Sequence, residues 1–196
     1  MKKKISGPST PNSKYRRTIW QCNEKFAGER KCRTPHLREE DIKARFLVAF
    51  NQLLDGKDAL LEDCRVMQDY LTNCSAIDSE LEELRQEIEV VTELTQRCVQ
   101  ENARSAQSQE EYAERYNGYV ARYDAAQAKL DALQKEKAQR LAQADSIGGF
   151  MFELSEYTEA ITEFNDGLWL AVVEKAAAYH DGRLVFTFQN GTEIEG

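Results

Sequence analysis

Proline is scarce in this chain, three in 196 residues, and histidine scarcer still, with only His36 and His180. Few prolines leave long helices uninterrupted. The two histidines lie far apart in sequence and outside any metal or triad motif, and the nine serines have no nucleophile context. No glycine-rich phosphate loop is present, so the chain is expected not to be an enzyme. No apolar run approaches the roughly 18–20 residues of a membrane span; Leu168 to Val173 is the best and is far too short. The basic N-terminus has no apolar segment behind it and does not read as a secretory signal, so a cytoplasmic, membrane-free protein is expected. Five cysteines (Cys22, Cys32, Cys64, Cys74, Cys98) are an odd number without an export signal, which argues against a disulfide framework. The last three sit in helical pattern and read as small buried apolar residues.

What the chain has in abundance is charge, 31% of residues. The net charge of -8 conceals a division. Residues 1–38 carry six Lys and five Arg against Glu24 and Glu29, giving +9 and leaving -17 for the rest. An acidic body is repelled by phosphate, so contact with nucleic acid would have to come from the basic head. The alternative is a disordered basic tail.

Residues 1–13, with Gly7, Pro8 and Pro11, read as a disordered tail. Tyr15 to Cys22 alternates like a short strand. Thr34-Pro35 opens a helical region in which Glu39, Glu40 and Asp41 complement the helix dipole. Ile42, Phe46, Ala49, Phe50, Leu53 and Leu54 form one apolar face, Gly56 marks a break, and Leu60, Leu61, Cys64, Met67 and Leu71 continue.

The strongest pattern follows. Ile77, Leu81, Leu84, Ile88, Val91, Leu94 and Cys98 step by three and four, as do Tyr112, Tyr116, Tyr119, Tyr123, Ala126, Leu130 and Leu133. Matched head to tail, from Ile77 with Leu133 to Cys98 with Tyr112, the paired numbers add to 210 or 211 at every step. A constant total is the signature of an antiparallel helical hairpin with its turn near residue 105. Ser108 and Glu111 have capping-box spacing for the returning helix. The arm from Ile77 to Cys98 would be about 30 Å long. The tyrosines are expected to pack their rings in the seam, with some left partly open for a partner arm.

Gly148-Gly149 reads as an interruption, followed by short helices through Leu154 and through Trp169. Asp181-Gly182 is then expected to close the second helix before a strand from Arg183 to Phe188. Asn190-Gly191 reads as a hairpin turn in which both residues take positive φ. The expected fold is mostly α: a long antiparallel coiled-coil-like hairpin inserted in a small β-ribbon made by the two chain ends. Its parts are a tail (1–13), a partial zinc-ribbon segment (14–37), a helical region (38–144, arm 77–133) and a region of short helices with a closing hairpin (145–196).

Cys22 and Cys32, joined by a turn and preceded by a strand with Trp20, have the look of half a zinc ribbon. Structural zinc takes four ligands, and only one pair is here. Two free thiols and half a metal site both remain open. Trp20-x-Cys22, a basic loop, Cys32-x-x-Pro35-His36-Leu37, then Ile42-Lys43 and Phe46 together resemble the C-terminal region of large serine site-specific recombinases. The stretch from Phe164 to Ile194, with its Leu168-Trp169 helix and closing hairpin, resembles the end of the same region.

The resemblance implies a zinc β-ribbon with a coiled-coil insertion, truncated at its N-terminus and lacking both the catalytic domain and the first cysteine pair. It implies a DNA-binding, synapsis-control fragment. Its partners would be DNA, bound weakly, and another recombinase subunit or a second copy through the arm. Zinc would find only half its ligands. Lys14, Arg16, Arg17, Lys25, Arg30, Lys31 and Arg33 are the candidate DNA contacts, acting on backbone phosphate with little sequence reading. A coiled-coil interaction module without DNA binding, or a non-functional remnant, are the alternatives.

Overall fold

The computed structural model describes residues 2–6, 17–22, 32–104 and 108–196, with only the backbone for 2–6 and 17. The turn expected near residue 105 lies in the gap and is outside the described residues. The chain is mostly helical, with two small antiparallel sheets among the described residues. It divides into two compact units, Met67–Ala144 and the remainder, Met1–Val66 with Asp145–Gly196.

In the second of these, β1 (Lys2–Ser6), β2 (Arg17–Gln21) and β3 (Leu37–Arg38) form one sheet in that order. The tail expected to be disordered thus supplies a strand, with Lys2 opposite Gln21 and Ser6 opposite Arg17. Leu37 pairs with Trp20 and Arg38 with Ile19. That pairing draws residues 37 and 38 into extended backbone, so helix α1 (Glu39–Asp55) begins four residues after Pro35. Glu39, Glu40 and Asp41 fill its first turn, where they meet the positive end of the dipole.

α1 buries Phe46, Ala49, Phe50 and Leu53 on one face. Phe46 has no exposed surface, and its ring lies 5.1 Å from Trp169, 5.6 Å from Phe164, 5.8 Å from Phe50 and 6.0 Å from Phe186. Aromatic pairs at these separations add to the area they bury. Gly56 ends α1, and α2 (Lys57–Thr72) follows at once.

α4 (Gln109–Glu156) is 48 residues long and runs through Gly148-Gly149 without a break. Each glycine costs a helix about 1 kcal/mol relative to alanine. Ile147, Phe150 and Leu154 are fully buried around them, and each contributes about 1.5–3 kcal/mol. Packing therefore overrides the local preference. The segment after α4 is pinned to α1 and α2. Asn51 Nδ2 donates to the Ile161 carbonyl at 3.0 Å while its Oδ1 accepts from the Ile161 N–H at 2.9 Å. Lys57 Nζ donates to the Tyr157 carbonyl at 2.7 Å.

Asn165 caps the short helix α5 (Asp166–Val172) by accepting from the N–H groups of Gly167 and Leu168. The helix does not continue to Asp181 as expected. Val173–Ala178 is instead strand β4, paired with β5 (Leu184–Phe188), which pairs in turn with β6 (Glu193–Glu195). These strands form a sheet of their own, so the two chain ends do not build a single ribbon. In the turn after β5, Gly191 alone takes positive φ, at 84°. Its N–H donates to the Phe188 carbonyl, and Asn190 uses its side chain to hold Thr192.

The other unit contains the end of α2, α3 (Ser75–Arg104) and most of α4. α2 stops at Thr72, a break that the hydrophobic pattern did not reveal. Arg140 donates to the carbonyls of Tyr70 and Asn73 at 2.7 and 3.3 Å, with its guanidinium 5.2 Å from the Tyr70 ring centre. Carbonyls at a helix end have no partner within the helix, and here a distant side chain satisfies them.

Candidate functional site

The seam residues lie on α3 and α4. Ile77, Leu81 and Leu130 form one buried cluster, against which Leu84, Ile88 and Leu133 pack. Val91, Cys98 and Ala126 are buried too, and Leu94 is half-buried. Ion pairs cross between the helices: Asp78 with Lys137, Glu80 with Lys129, Glu87 with Arg122 and Glu101 with Arg115. Their numbers rise along α3 as they fall along α4, so the contacting stretches run antiparallel. Ser108 Oγ accepts from the Glu111 N–H at 3.4 Å, a long bond at the start of α4.

The tyrosines are less covered than the aliphatic end. Tyr112, Tyr116 and Tyr119 are half-buried, and Tyr123 is 39% exposed. The rings of Tyr112 and Tyr116 stand 5.9 Å apart. On α3, Val90 and Val99 are 50% and 45% exposed. This end of the pair therefore offers aromatic and aliphatic surface beside charged rims, which can contact another protein.

Of the basic candidates, Lys14, Arg16, Lys25, Arg30 and Lys31 lie outside the described residues. Arg17 is placed by its backbone in β2, and Arg33 is exposed. The two together do not define a phosphate-binding surface.

Cys22 and Cys32 are both half-buried, and Cys32 Sγ contacts Thr34 Oγ1 at 3.2 Å. His36, the one nearby imidazole, is exposed. No group of three or more His, Cys, Asp or Glu side chains is arranged to hold a metal among the described residues. A closed zinc site takes four ligands, of which Cys22 and Cys32 would supply two. Cys64, Cys74 and Cys98 are buried. Burial pushes the Cys64 thiol above its ordinary value, while a hydrogen bond with the Asn190 side chain pulls it part of the way back.

Sequence reasoning missed a cavity of about 330 Å³ beside α1. Trp20, Phe164 and Trp169 line it with Glu39, Lys43 and Asp166. These residues come from β2, α1, the segment before α5 and α5 itself, and no sequence spacing links them. The only hint was that both tryptophans of the chain contribute.

Among the described residues, no helix is long and apolar enough to cross a membrane. No family model, curated protein or solved structure matches the chain.

Proposed function

We propose that this chain is a DNA-binding and subunit-interaction region of a serine site-specific recombinase, acting in synapsis control. The observation that carries the reading is the α3–α4 pair, with its buried aliphatic end and its half-open tyrosine end. Such a pair acts as a coiled-coil hairpin whose tyrosines and flanking valines meet the same region of another subunit. Tyrosine suits this role because its ring is buried on contact while its hydroxyl stays in water. The sequence resemblance from Trp20 to Phe46 and from Phe164 to Ile194 gives the arm its setting. The basic head supplies the affinity for DNA, held by phosphate contacts and weakened by salt. No catalytic role is assigned to any residue.

The second reading is an interaction module in which the head does not touch DNA. It is favoured by the exposed Tyr123, Val90 and Val99, which offer a protein-contact surface that needs no DNA. One experiment separates the two. Replacing Arg16, Arg17, Lys31 and Arg33 together with alanine should abolish retention of a DNA duplex while sedimentation still shows self-association. Each lost phosphate contact should lower the salt slope by about one. Absence of DNA binding in the unaltered protein would leave the second reading. Binding that did not weaken as salt rose would refute the first.

A further inference from the structure

We propose that one flank of the α3–α4 pair is a docking face for a basic amphipathic helix of a partner protein. The two flanks are told apart by their ion pairs. Glu80 with Lys129 and Glu87 with Arg122 join residues that each stand just before a seam residue: Leu81, Leu130, Ile88 and Tyr123. One residue is a turn of about 100° around a helix, so residues just before the seam share one flank and residues just after it share the other. The first flank is thus laced by opposite charges.

The second flank carries Glu82 and Glu89 from α3 and Asp124 and Asp131 from α4, just after the same seam residues. All four are exposed. Among the described residues, Glu82 alone of the four has an ion pair, with Arg85 on its own helix at 3.6 Å. Farther along the same flank stand Val99, 45% exposed, and the half-buried Val120. Acidic edges beside aliphatic surface are the complement of a helix with one apolar stripe bordered by lysine or arginine. A second copy of this chain does not suit the face, because it would set the same four carboxylates against these. The inference rests on reading the pair as an interaction arm, and it adds a partner other than a second subunit.

The probe is a synthetic helix of three heptads, about 30 Å long, with leucine at its seam and lysine on both flanks. Added to the full chain, it should bind saturably, read by the anisotropy of a dye on the peptide, and more weakly as salt rises. Glu89→Gln with Asp124→Asn should weaken binding about fivefold. Glu83→Gln with Glu111→Gln removes the same charge from the other flank, just before Leu84 and Tyr112, and should weaken it by less than about twofold. All four replacements are near-isosteric and at exposed positions, so circular dichroism should report unchanged helix content. Val99→Ser should weaken binding about threefold, since part of the valine surface is lost to the contact. A peptide of the same composition with its leucines out of period should bind at least about fivefold more weakly, because it presents no apolar stripe. Absence of binding, equal binding of the shuffled peptide, or equal losses in the two double variants would each overturn the docking face. Self-association of the arm is read separately, by sedimentation of the unaltered chain without peptide.

Discussion

Leu130→Ala is the substitution that most directly probes what holds α3 to α4. Leu130 is 7% exposed and sits in one cluster with Ile77 and Leu81. Truncation to alanine removes three carbons, at about 0.8 kcal/mol for each buried methylene, so the transfer loss is about 2.4 kcal/mol. A cavity term adds to it, but a seam one residue deep can close on the hole more readily than a globular core. The expected cost is about 3 kcal/mol, toward the low end for such truncations. Lys129→Ala is the matched control. Lys129 pairs with Glu80 across the same stretch, yet their side chains are 57% and 40% exposed. Solvent screening limits such a pair to about 0–1 kcal/mol. Urea unfolding followed by circular dichroism gives the two values, and hydrogen exchange assigns the loss to residues 77–98 and 112–133. A loss below about 0.5 kcal/mol for Leu130→Ala, or an equal loss for Lys129→Ala, would refute an apolar seam as the source of the pairing.

Three further outcomes are expected. An aromatic disulfide reagent at neutral pH should modify Cys22 and Cys32 promptly, and Cys64, Cys74 and Cys98 only on unfolding; prompt reaction of all five would contradict the burial. Because the folded-state value of Cys64 is raised, its neutral thiol contributes fully at neutral pH, and that contribution is lost as pH climbs past the ordinary 9.0. Asn51→Ala should cost about 2 kcal/mol, since it leaves both the N–H and the carbonyl of Ile161 without their partner. Limited proteolysis between residues 157 and 165 should quicken in parallel, and unchanged cleavage would show that the segment is held by other contacts.

The parts legible in the sequence were those where periodicity and burial agree. The three-and-four spacing of Phe46, Ala49, Phe50 and Leu53 follows directly from one helix face packing on a core. The same holds for Ile77, Leu81 and Leu130. The misreadings come from places where partners distant in sequence decide. Lys175 to Ala178 has good helix propensity, but β5 offers each residue a ladder partner, and the segment becomes strand. Gly148-Gly149 looks like punctuation until Ile147, Phe150 and Leu154 are found packed on either side. The opposition of Leu37 and Trp20 shortened α1 at its start, and no local signal marks a pairing across 17 residues. Nor could residue types reveal that the N- and C-terminal strands keep separate sheets, since strand pairing is set by which backbone edges meet. The cavity was illegible for a related reason, as it exists only once β2, α1 and α5 have come together.

The ion pairs between α3 and α4 link positions whose numbers rise on one helix and fall on the other. Reach is therefore an adjustable quantity in this chain. Seven residues added to α3, with seven more at the facing point of α4, would lengthen the pair by about 10 Å and keep every apolar position on its side. The same seven added to one helix alone would set all contacts beyond that point out of step. Length variation in this region is thus tolerated only in matched pairs, a constraint that would leave its trace as correlated insertions in α3 and α4.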